Sequence, residues 1–286
     1  MLKLSTAVQS EPVAVDAAGS GMLASAGVAA LYMAAARPFL AATLAGGPTT
    51  TTNCATGGTF ATTTSNTGSP GVRAGETATI SFDQCKGELA VPALSAASAV
   101  SGSVSFEVDA VQGTVGSRTA NWSYTATETA NALDLASPTA TTTFSGAVTF
   151  AVSYDATTGN TTTTATAPAI SIGRTQQSSS GTTLDGSISV SELSWTADDD
   201  AATSITTLTS AGAVSVVLSG VTLAFNVSTP VALTVTNNQI SAGTLQLATS
   251  DTAESIVAQN ASTFVITVTS GGSTGTWTVS ASALAG

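Results

Sequence analysis

The chain has 286 residues, no histidine, six Lys and Arg against 17 Asp and Glu, and a formal net charge of -11. Without histidine the commonest general base and the commonest zinc or iron ligand are missing, and so acidic a chain cannot neutralise a phosphate backbone, which excludes nucleic acid as a partner. Charged residues are only 8% of the chain, against roughly 25% in ordinary soluble domains, so Ser and Thr must cover much of the surface, and such a surface costs little to desolvate against copies of itself.

Residues 21–46 form the one helix candidate, a small-residue apolar run containing Arg37-Pro38 and stopped by Gly46-Gly47-Pro48. Three roles compete for it. A secretory hydrophobic region ending near Thr43-Leu44-Ala45 has the right composition, although its basic flank is reduced to a distant Lys3. A retained helix would pack on the rest of the protein or into a neighbouring subunit. A membrane anchor is the third, and Arg37 falls near the middle of the stretch it would need. Any membrane contact is therefore confined to residues 21–46, and the chain divides into an N-terminal extension, 1–48, and a β region, 49–286.

From Thr49 onward short alternating segments are separated by Gly, Asn, Asp, Ser or Pro. Cys54 and Cys85 bracket a Gly- and Thr-rich stretch; they read as a disulfide, with two buried thiols as the alternative. Val104, Phe106, Val108 and Ala110 share one face. Val148, Phe150, Val152 and Tyr154 share another, ahead of a turn at Asp155–Asn160. The Thr161–Thr164 run has little apolar patterning, which predicts an edge strand or a surface for a second subunit. A slip in apolar phase between Val190 and Leu193 predicts a β-bulge near Ser191-Glu192. Val221–Val227 and Val231–Val235, around Ser228-Thr229-Pro230, predict a hairpin, as do Phe264–Val268 and Trp277–Val279 around Gly271-Gly272. The fold class is mainly β, with antiparallel sheets forming a β-sandwich or a partly open barrel and one N-terminal apolar helix.

Cys54-Ala55-Thr56-Gly57-Gly58, then Gly75-Glu76, then Ile80-Ser81-Phe82-Asp83-Gln84-Cys85 resembles a pattern in secreted, largely uncharacterised β-rich proteins of Gram-negative bacteria. Leu184-Asp185-Gly186-Ser187 matches a motif that opens later strands in the same group. The resemblance implies an exported antiparallel β protein and carries no functional residues with it.

Asp198-Asp199-Asp200 is the densest acidic cluster and could bind calcium, which takes oxygen ligands; a solvated loop is the plainer alternative. No other metal or cofactor is expected. Trp122, Tyr124, Trp195 and Trp277 would make a stacking platform for sugar rings if exposed together, and core anchors otherwise. Asn121, Asn160, Asn226 and Asn260 begin Asn-x-Ser/Thr sequons. No nucleophile has a base beside it and no carboxylates are visibly paired, so an enzyme is not expected. The composition favours an extracellular or cell-surface structural subunit, a filament or surface layer that self-associates by strand pairing. A monomeric cell-envelope module binding glycan or lipid is the alternative.

Overall fold

The computed structural model describes the chain except for residues 1–9, 47–48, 66–67, 69, 90–98, 139, 178–182, 219–220, 238 and 286. Lys3, the basic flank of the secretory alternative, lies outside the described residues, as do Gly47 and Pro48 of the helix stop.

Two helical segments, α1 (Glu11–Met22) and α2 (Val28–Ala45), are joined without a break by a π-helical turn, Leu23–Gly27. The helix begins at Glu11, well before residue 21. Pro12 suits the first turn, where no intrahelical partner for an N–H is needed, and Ala14, Ala17, Ala18 and Gly21 let the backbone lie close to its neighbours. The fully buried Ser25 returns its hydroxyl to the Gly21 carbonyl at 2.7 Å within the widened turn. Pro38 sits inside α2 without ending it. The helix stops at Gly46, whose left-handed φ of 68° lets its N–H reach the carbonyls of Ala42 and Thr43. At 35 residues the helix is long and apolar enough to cross a membrane, yet every residue from Gly21 to Ala29 is buried within the protein.

What encloses it is one sheet of fourteen strands in sequence order. In chain order these are β1 (Thr49–Asn53), β2 (Thr59–Thr64), β3 (Thr77–Cys85), β4 (Ala99–Gln112), β5 (Trp122–Ala136), β6 (Ala140–Tyr154) and β7 (Thr161–Gln177). There follow β8 (Thr183–Asp200), β9 (Ile205–Leu218), β10 (Val221–Thr236), β11 (Gln239–Ala248), β12 (Thr252–Asn260), β13 (Thr263–Ser270) and β14 (Ser273–Ser280), then a short helix α3 (Ala281–Ala285). Each strand pairs antiparallel with its sequence neighbours, and β1 does not pair with β14. The arrangement is an open sheet, not a sandwich.

A line of irregularities crosses the middle of the sheet. It passes Ser101–Ser103 of β4, Ala130–Leu133 of β5, Gly146–Thr149 of β6, Ser191–Ser194 of β8 and Ser228–Leu233 of β10. Bulges bend and twist the strands that carry them, and a row of them curls the sheet about the helix. The bulge expected at Ser191-Glu192 is one of the row, with Glu192 at a φ of 52°. The helix meets the sheet along its length: α1 lies on β11–β13 and α3, the π turn on β8 and β9, and α2 on β2 and β3. Phe39 stacks on Phe106 of β4 at 4.7 Å, and Tyr32 donates to the Gly146 carbonyl of β6 at 2.8 Å. Helix and sheet thus share a single hydrophobic core.

Three local expectations change. Val221–Val235 is one strand, β10, and not a hairpin; at its bulge the Thr229 hydroxyl accepts the Ser210 N–H at 2.8 Å and donates to the Ser210 carbonyl at 3.4 Å, the donor that Pro230 lacks. Thr161–Thr164 opens β7, which is paired on both sides and is neither an edge nor free. A register shift between Val108 and Ala110 turns Ala110 outward, and Val111 takes the half-buried place. The β13–β14 hairpin and the Asp155–Asn160 turn form as expected, the latter closed by Gly159 N–H to the Asp155 carbonyl at 2.7 Å. Cys54 and Cys85 are joined in a disulfide with Cα atoms 5.5 Å apart.

Candidate functional site

Between α2 and strands β5–β10 lies a cavity of about 530 Å³, within the roughly 300–1,000 Å³ usual for small-molecule sites. Its floor is built by register. Period-two alternation turns every second residue inward, and matched partners on adjacent strands line up in rows. The outermost row runs Trp122, Tyr154, Thr161, Asp199, Thr206 and Val235. The next runs Tyr124, Val152, Thr163, Ala197, Leu208 and Leu233. The innermost runs Ala126, Phe150, Ala165, Trp195 and Ser210. Polarity falls with depth, from Thr and Asp at the mouth to Phe150 and Trp195 below.

The roof is one face of the helix, Ala26, Ala30, Met33, Arg37 and Leu40 at three- and four-residue spacing. Ala26 and Ala30 keep the helix short of the floor and so leave the space open. Gly87 and Glu88, just beyond β3, complete the mouth. The disulfide anchors that loop. Around it Lys86 N–H donates to the Gly57 carbonyl at 2.8 Å, and the Glu88 carboxylate accepts the Ala55 N–H at 3.2 Å.

Aromatic rings make one wall. Trp122 stacks on Tyr154 at 5.5 Å and on Tyr124 at 6.2 Å, and Tyr124 meets Phe150 edge to face at 5.9 Å. Trp122, Tyr124 and Trp195 therefore line one cavity and also pack the core, while Trp277 stands apart on β14, paired with Ile266. Trp195 is 4% exposed and, among the described residues, its Nε1 has no hydrogen-bond partner; nor among them has the buried hydroxyl of Ser210, its cross-strand partner. Unmet donors in an interior are uncommon and costly. Glu128 lies further down the Tyr124 strand face. Burial pushes its carboxyl well up, and burial, followed by the charge that Glu128 carries when ionised, raises the Tyr32 and Tyr124 phenols.

Strand alternation separates the aspartates. Asp198 faces outward and accepts the Thr162 hydroxyl at 2.7 Å; Asp199 faces the cavity mouth and accepts the Thr206 hydroxyl. Asp200 accepts the Ala202 N–H at 2.9 Å, and this with a Thr203 hydrogen bond holds its carboxyl below the usual range. Among the described residues no three of His, Cys, Asp and Glu gather as metal ligands. Three sequon asparagines brace turns: Asn121, Asn160 and Asn260 accept N–H groups of Ala156, Ala201 and Ser262. Asn226 is exposed on β10.

Sequence reasoning missed Arg37, Phe150, Thr161, Thr163 and Thr206 as site residues. Arg37 did carry a signal, a lone cation in an apolar helix, but it was weighed only against a membrane span. No protein-family model, curated protein or solved structure matches the chain.

Proposed function

We propose that the protein is an exported binding module that holds an amphipathic small molecule between α2 and the inner face of β5–β10. The observation that carries this is the cavity itself: an aromatic interior with a buried, unpartnered Trp195 N–H, opening through a rim of Thr161, Asp199, Thr206 and Arg37. An apolar body gains by entering such a space, and a few polar groups set its orientation. Export is supported by the disulfide and by the resemblance to secreted β-rich proteins. Calorimetric titration with a single-chain alkyl amphiphile below its micelle concentration tests the proposal. Saturable binding with one site, abolished in Ala30→Phe at unchanged thermal stability, is expected. Equal binding by the filled variant would place the ligand elsewhere.

A structural role by self-association is a second reading, favoured by the open edges. Edge strand β1 is exposed along its length, and carries no charge to discourage pairing. Because the strand number is even and the order sequential, β14 of one copy would meet β1 of the next antiparallel, as all internal neighbours do. Such a contact is head to tail, and it forms filaments when it does not close. Sedimentation and negative-stain microscopy of the wild type against Thr51→Pro test it: fibres lost in the variant support it, and a concentration-independent monomer rejects it.

A further inference from the structure

Resting on the cavity as a ligand site, we propose that its occupant is a zwitterionic single-chain amphiphile, with its anionic group on Arg37 and its cationic group between Asp199 and Glu88. Three charged side chains line the cavity: Arg37 from the roof, Asp199 from the floor and Glu88 from the mouth loop. Among the described residues none of the three forms an ion pair with another. Each carboxylate already has one oxygen engaged, Asp199 with the Thr206 hydroxyl and Glu88 with the Ala55 N–H, which fixes their positions and leaves each a second oxygen for a ligand.

An anionic head alone would meet Arg37 at the cost of two carboxylates, and a cationic head alone would meet the reverse. A head carrying both charges satisfies all three. Deeper in, Trp195 Nε1 is a buried, unpartnered donor where the first polar atoms of a chain linkage would pass. The volume of about 530 Å³ suits one chain.

Four dodecyl probes sharing one chain separate head-group recognition from chain binding: phosphocholine, carboxylate, trimethylammonium and alcohol, each titrated as monomer into the full chain. The phosphocholine should bind roughly tenfold tighter than the other three. Arg37→Gln should lower its affinity about as much and leave the trimethylammonium probe unchanged, and Asp199→Asn should weaken both cationic probes and leave the carboxylate probe no weaker. Both side chains are exposed, so folding is not at risk, and melting temperature serves as the control. Equal affinity for all four heads would overturn the head-group assignment and leave the cavity standing. No binding of any probe would overturn both.

Discussion

The two halves of the long helix lie on the same sheet and do different things there. α1 is seated without a gap: a Cβ added at Gly21 would lie 2.4 Å from Leu247 Cδ2, and one at Gly19 would lie 2.6 Å from the Leu284 carbonyl oxygen. α2 stands off from β5–β10, with half-buried Ala30, Met33 and Leu40 and an exposed Arg37 over open space. Both halves are Ala-rich and apolar, so composition does not separate them. The strands beneath do: β11–β13 present Leu245, Leu247, Ile256, Ile266 and Val268 to α1, whereas β5–β10 present rings and hydroxyls that do not fill the space under α2. One half fastens the helix, and the other makes a chamber.

The largest expected effect falls on the chamber's mouth. Replacing Cys54 and Cys85 by Ala releases a loop spanning 31 residues and should cost about 3–4 kcal/mol in chemical denaturation. The same change frees the Glu88 loop, so ligand affinity should fall even where the protein remains folded. A pH effect of similar order belongs to the fastened half. Glu254 of β12 is fully buried, both its carboxylate oxygens lack a partner among the described residues, and burial pushes its carboxyl from 4.5 to about 8. The folded state then holds a proton that the unfolded chain releases, so this contribution is complete below about pH 4.5 and is lost as pH rises toward 8. Melting temperature should fall over that window, and Glu254→Gln should flatten the profile. Gly21→Val should cost about 1–3 kcal/mol by overpacking against Leu247. Smallest in stability is Ala30→Phe, expected within about 1 kcal/mol of the wild type because it grows into space already present. If Gly21→Val were neutral and Ala30→Phe disruptive, the contrast between the halves would be reversed.

Much of the β architecture was legible because burial on one face writes a period of two into the sequence. Phe264–Val268 against Trp277–Val279, Val148–Tyr154 before its turn, and the slip at Ser191-Glu192 all follow from it. The Thr runs were not legible, since Thr suits both faces: in β7, Thr161 and Thr163 look into the cavity and Thr162 and Thr164 look out, with nothing in their chemistry to say which. Pro230 read as a turn because sequence does not show that Thr229 can replace the lost ladder bond. The choice between a sandwich and an open sheet depends on whether bulges align across strands, which is a property of register and not of any one segment. For the site, the sequence groups Trp122, Tyr124, Trp195 and Trp277 as one stacking platform or as core anchors; the convergence of the first three, without Trp277, required strands β5–β8 in register, and Arg37 required knowing that the helix crosses above them.

The central claim is that the space under α2 takes up an apolar chain. It is most directly tested by quenching with a brominated alkylphosphocholine in two single-tryptophan proteins, one keeping Trp195 and the other Trp277, with Phe at the other two positions. Saturable quenching of Trp195, with Trp277 unaffected, is the predicted result. Equal quenching of both, or none at Trp195, would contradict it.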